Sequence, residues 1–176
     1  NGDFQYIGRI SKSDKNYAWL PFDLHLICPI YLDFDFVYLD YANPNSPQLI
    51  YPCNTEEIPS PVLELNDDSE VVFKEYRLST RPIKSITEEN RDELIAVGGQ
   101  TLISNNIEIP VCPKTNEEMM FVCQIKSNGH ILTEYTNVKC KKADEQKLFD
   151  HLNFWGDKSL FVFIEPESLT VCYFIN

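Results

Sequence analysis

Between Asn16 and Phe73 the chain has no lysine and no arginine. Other absences narrow the function classes further. There is no apolar run near the roughly 18 residues that a membrane helix needs. There is no C-x-x-C pair, no G-x-G-x-x-G, no P-loop, no G-x-S-x-G and no H-E-x-x-H, so none of the common nucleotide, hydrolase or zinc-peptidase signatures is present. No N-x-S/T sequon occurs. Asn1-Gly2-Asp3 provides neither a basic nor an apolar region of a signal peptide, and the expectation is a cytoplasmic protein. Cationic residues are scarce: 15 Lys and Arg stand against 27 Asp and Glu, a net charge of −12. Neutralising a phosphate backbone needs the opposite excess, so nucleic acid and anionic membrane are not expected partners.

What is present is an ordinary globular composition, 43% hydrophobic and 24% charged over 176 residues. That length suits one domain over 1–176, with 1–15 as an irregular arm or edge strand. The six cysteines (Cys28, Cys53, Cys112, Cys123, Cys140, Cys172) are scattered, and Cys123 and Cys172 sit inside apolar strand-like runs. They read as reduced, mostly buried thiols rather than a disulfide framework.

Strand signals dominate. Asp33 to Asp40 (DFDFVYLD) alternates, predicting a half-buried strand with Phe34, Phe36 and Tyr38 on its inner face. Further strands are expected at 24–30, 62–65, 70–79, 119–126 and 131–140. The chain ends in a hairpin, SLFVFIE and LTVCYFI about Pro166-Glu167-Ser168. Asn43-Pro44-Asn45-Ser46-Pro47 has loop chemistry, and 52–61, with three prolines, should be extended and irregular. Two helices are predicted. One opens at Thr87 as N-cap, carries Glu88 and Glu89 in its first turn and stops at Gly98. The other spans Ala143 to Asn153, with Leu148, Phe149 and Leu152 on one side. The expected class is α+β: a single domain, mainly antiparallel sheet, with two inserted helices.

Between Gly98 and Asp157 several motifs recur in a known order. Gly98-Gly99 is followed by Pro110-Val111-Cys112-Pro113, then Met119-Met120-Phe121-Val122-Cys123-Gln124-Ile125, then Trp155-Gly156-Asp157 before an aromatic strand. This order resembles the bacterial YwqG-like domain family of uncharacterised function, over roughly residues 94–165. The chain departs from that pattern: Gln100-Thr101 replaces Pro and an aromatic, Thr115 and Asn116 replace a second Cys and a Gly, and Ser159 replaces the last Gly. The resemblance implies a β-rich fold and a binding or accessory module, some of its kind associated with bacterial toxin systems. It implies no catalytic residue.

The chemistry-bearing residues point weakly to catalysis. Cys112 lacks a C-x₂-C partner, so a zinc site is not expected, nor any cofactor. A nucleophilic Cys112 would need His130 or His151, and Glu108, Glu117 and Glu118 are expected to raise its pKa. A pocket built from Cys112, Gln124 and His130 is the alternative reading, for a small molecule or a metal. The leading reading is non-enzymatic. The segment 16–73 holds ten acids, ten aromatics and seven of the 11 prolines, and so accounts for −10 of the −12. Asp33, Asp35, Asp40, Glu56 and Glu57 would steer a basic protein partner, and Tyr38, Tyr41 and Tyr51 would anchor it. An acidic immunity-type protein would look like this.

Overall fold

The computed structural model describes residues 5–28, 36–50, 63–64, 70–87, 94–99, 107–140, 146–147, 149–154 and 158–176. Among them are thirteen strands. In chain order these are β1 (Gln5–Ile10), β2 (Leu24–Cys28), β3 (Val37–Asp40), β4 (Gln48–Leu49), β5 (Leu63–Glu64), β6 (Val71–Phe73), β7 (Ala96–Gly98), β8 (Met120–Lys126), β9 (Asn128–Thr136), β10 (Lys139–Cys140), β11 (His151–Leu152), β12 (Ser159–Glu165) and β13 (Thr170–Ile175). All their pairings are antiparallel.

The centre is a six-stranded sheet in the order β4-β3-β13-β12-β8-β7. Its middle strands come from the C-terminal hairpin. Every residue of β12 is buried, and β13 is buried at all but Phe174. A strand covered on both faces reads as a continuous apolar run, and SLFVFIE and TVCYFI are such runs. On one face, Val37, Leu39, Val122, Leu160, Val162, Ile164, Val171 and Tyr173 join the main core. That core is closed by Leu24 and Leu26 of β2, Val71 of β6, Leu152 of β11 and Phe154. On the other face, Phe161, Phe163 and Cys172 pack with Cys112 and Met119, and Phe36, Tyr38, Phe121 and Phe174 lie partly buried around them. The alternation predicted for 33–40 therefore holds at Phe36 and Tyr38, but the opposite side, Val37 and Leu39, enters the larger core. Asp33, Phe34 and Asp35 lie outside the described residues.

Three smaller sheets accompany the first: β1-β2, β11-β9-β6 and the short pair β10-β5. A buried polar contact ties β2 to the large sheet. The Tyr41 hydroxyl donates to the carbonyl of His25 at 2.6 Å and lies 2.7 Å from the Tyr173 hydroxyl. The Gln5 side chain accepts the Val71 N–H at 3.0 Å, joining β1 to β6. Each bond satisfies a group that burial would otherwise leave costly.

The expected α+β class is not what forms: the structure is nearly all β, with no α-helix among the described residues. The helix predicted from Thr87 to Gly98 falls partly on 88–93, outside the described residues, but its end is strand β7, paired with β8 through Ala96↔Ile125, Val97↔Gln124 and Gly98↔Cys123. Burial there alternates, with Val97 in and Ala96 and Gly98 out. Gly98 is not a helix stop. A Cβ on it would come 2.6 Å from the Tyr17 hydroxyl and 3.1 Å from the Val122 carbonyl, so glycine is what lets the tyrosine cross over the edge strand. Gly99 takes a left-handed φ of 78°, which other residues adopt only with strain. The second predicted helix is replaced by a 3₁₀ turn around Gln146, Lys147 and Phe149, then by β11, where His151 pairs with Leu132 and Leu152 with Asn128. Phe149, at the end of that turn, and Leu152, on β11, are both buried, while 143–145 and Leu148 lie outside the described residues. The segment 52–61 lies outside the described residues. Within 1–15, Gln5–Ile10 form strand β1, and residues 1–4 lie outside the described residues.

Candidate functional site

The chemically distinctive corner lies where three turns meet at one end of the large sheet. The first is the tip of the segment 110–119. Cys112 N–H donates to the Glu117 carbonyl and Asn116 N–H to the Cys112 carbonyl, both at 2.8 Å, with Asn116 at φ 62°. The second is the β12–β13 turn. The carboxylate of Glu165 accepts the N–H groups of Glu167 at 3.0 Å and Ser168 at 2.7 Å. Leu169 at φ 56° completes that turn, and its carbonyl accepts the Tyr41 N–H at 2.8 Å. The third begins at Asp40, whose carboxylate accepts the Ala42 N–H at 2.8 Å and pairs with Lys114 at 2.7 Å. Lys114 also points at the Ser168 carbonyl, 3.4 Å away.

Cys112 is fully buried beneath this junction. Its sulfur lies 3.4 Å from the Ser168 hydroxyl, which is 2.8 Å from that of Thr170. Burial pushes the thiol up. The hydroxyls of Ser168 and Thr115 and the N–H groups of Lys114 and Thr115 outweigh it and bring the pKa down to about 7. The expectation that Glu108, Glu117 and Glu118 would raise it is corrected: directed hydrogen bonds to the sulfur act at contact range, whereas these three glutamates are exposed to water, which screens them. Cys123 shows the contrast. With burial alone acting, its thiol is pushed up to about 12. Cys172 is also raised, mainly by burial. Cys112, Cys123 and Cys172 are all unbridged.

The carboxylates shift the other way. Asp40 is lowered by its bond to Lys114 and by the Ala42 N–H. For Glu165, burial raises the pKa, but the bonds to Ser168 and Glu167 prevail and lower it.

The residues expected to form a docking surface are distributed unevenly. Asp33, Asp35, Tyr51, Glu56 and Glu57 lie outside the described residues. Tyr38 is half-buried on β3, its phenol pushed up by burial and by the neighbouring Cys172. Asp40 is bound to Lys114. Tyr41 is 0% exposed and stacked on Phe22 at 5.6 Å, so it is a core residue and not a surface anchor. The alternative pocket does not assemble from its three members. Gln124 is buried in register with Phe161 and Val97, roughly 13 Å of strand away from the Glu165 turn. His130 is exposed on β9, in another sheet. A shallow cavity of about 100 Å³ lies elsewhere, lined by Ile83, Lys84, Ser85, Ile86 and Val97 to Gly99. No group of three or more His, Cys, Asp or Glu side chains is placed to hold a metal among the described residues.

Sequence reasoning missed Lys114, Glu165 and Ser168 as the surroundings of Cys112. Lys114 lies two residues from Cys112 in the same turn, but Glu165 and Ser168 come from the β12–β13 turn, and no local signal could have found those two. No family model, no curated protein and no solved structure matches the chain.

Proposed function

We propose that this chain is a non-enzymatic protein-binding module that docks a basic protein partner. The observation that carries the reading is the charge distribution: ten acids and no lysine or arginine between Asn16 and Phe73, in a chain of net charge −12. A field of one sign raises the encounter rate with an oppositely charged surface and disfavours acidic competitors. Support also comes from how the described carboxylates divide. Asp23, Asp40 and Glu165 are engaged internally, by Arg9, Ser11 and Lys12, by Lys114, and by the 165–170 turn. Glu70, Glu108, Glu117, Glu118, Glu134 and Glu167 are exposed to solvent. An immunity-type protein that covers a cationic toxin is one form such a module takes.

The test uses two labelled peptides of equal length, one of leucine and lysine and one of leucine and glutamate. The lysine peptide should bind, and its affinity should fall as salt rises from about 20 to about 200 mM, where screening shortens to about 7 Å. Equal binding of both peptides, or affinity indifferent to salt, rejects the reading.

A further inference from the structure

Residues 107–120 fold back on themselves, with one side spent on the sheet and the other open. Val111 bridges Glu118 in antiparallel register, and the Met119 N–H donates to the Pro110 carbonyl at 2.9 Å. Pro110, Cys112 and Met119 face inward and are buried. Directly paired residues project to the same side, as do residues two positions apart along each arm. Ile109, Val111, Glu118 and Met120 therefore share the outer side. The three apolar members are 51%, 44% and 49% exposed. Single exposed apolar residues are ordinary, but three large ones on one side of one hairpin form a patch.

Along the hairpin itself the charge is negative at every charged position but Lys114. Glu118 stands within it, and Glu108 and Glu117 are exposed on the same two arms. The sole lysine or arginine from Ile107 to Ile125 is Lys114, and it is held by Asp40 at 2.7 Å. A surface of apolar anchors with carboxylates and no available local cation complements a segment with the reverse pattern. A second copy of this chain would bring three more glutamates and another net charge of −12 to the contact.

We propose that the outer side of the 107–120 hairpin is where a cationic amphipathic segment of the basic partner docks. This rests on the function proposed above and places the contact outside the lysine-free segment. Apolar side chains of the segment would cover Ile109, Val111 and Met120, while a lysine or arginine meets Glu118 among them; Glu108 and Glu117 alternate to the other side of the hairpin and add exposed negative charge at its edges.

The test titrates the leucine–lysine peptide into wild type and three variant sets, each checked for native near-UV circular dichroism. One set is Ile109→Ser with Val111→Thr and Met120→Gln. Another is Glu108→Gln with Glu117→Gln and Glu118→Gln. The third is Asp33→Asn with Asp35→Asn, Glu56→Gln and Glu57→Gln. The proposal expects each hairpin set to weaken binding about tenfold or more, as loss of anchoring contacts does, and the third set to weaken it less. Binding lost in the third set but unchanged in both hairpin sets overturns this site and leaves the docking function standing. No binding to wild type overturns both. A wild-type dimer that the apolar set dissociates, with no peptide bound at the hairpin, assigns the patch to a second copy and also overturns the proposal.

Discussion

At Cys112 two opposing effects act on one sulfur. Burial disfavours the thiolate, yet the Ser168 and Thr115 hydroxyls and two backbone N–H groups lower the pKa to about 7. A pH titration of thiolate absorbance, wild type minus Cys112→Ser, should show one thiolate with a midpoint near pH 7, and Ser168→Ala should move that midpoint upward. No difference between wild type and Cys112→Ser from about pH 5 to 9 would contradict the geometry. Glu165 makes a linked prediction. Its folded-state pKa lies below the ordinary value of 4.5, so the ionised form is the one the fold favours. The resulting stability is fully present above pH 4.5 and is lost as pH falls through the folded-state value. Glu165→Gln should cost about 1–2 kcal/mol near neutral pH, the worth of charge-assisted bonds to two N–H groups. The gap to wild type, followed by urea unfolding, should narrow in acid. A gap that widens in acid would reverse the sign assigned here. These residues also mark a limit of sequence reading. The acids near Cys112 in the chain suggested a raised pKa, whereas the groups that decide it are the Ser168 hydroxyl, brought by the fold, and the Thr115 hydroxyl with the Lys114 and Thr115 N–H groups, aimed at the sulfur by the turn they share with it.

At the scale of elements, the strands were legible where their residues had no alternative. β8 and the β12–β13 hairpin are rich in β-branched and aromatic residues, and the pairing Leu160↔Ile175 through Glu165↔Thr170 follows from a short turn. The helices were misread because local signals were sound but incomplete. Thr87, Glu88 and Glu89 make a good helix start, yet the predicted end of that helix is strand: Val97 is drawn into register with Gln124, and edge pairing overrides the reading of Gly98 as a helix stop. Phe149 and Leu152 suggested one helical face, yet Phe149 ends a 3₁₀ turn and Leu152 is buried on β11, paired with Asn128. Gly98 tests the corrected element. Gly98→Ala should destabilise by about 1–3 kcal/mol, the range for overpacking, because its Cβ meets Tyr17 and the Val122 carbonyl. Tyr17→Phe removes the nearest atom and should recover part of that loss in a double-mutant cycle. The contact with the backbone carbonyl prevents full recovery. A neutral or stabilising Gly98→Ala would be inconsistent with Tyr17 crossing β7, and with a strand at that position.

For the whole molecule, the β architecture explains stability and places the hairpin 107–120 at the rim, while the charge explains what such a rim would meet. The acidic excess was visible in the chain from the start. The surface proposed to use it was not, because Ile109, Val111 and Met120 look like ordinary strand residues until the bridge Val111↔Glu118 fixes which way they face. Of the residues first expected to anchor a partner, Tyr41 belongs to the core and Asp40 to an ion pair. The central claim is that long-range attraction between this acidic chain and a cationic segment drives association. Stopped-flow measurement of the association rate of the leucine–lysine peptide at increasing ionic strength tests it most directly. The account predicts a rate that falls by about tenfold or more between about 20 and about 200 mM salt, with a much smaller change in the dissociation rate. An association rate that stays flat across that range would contradict it.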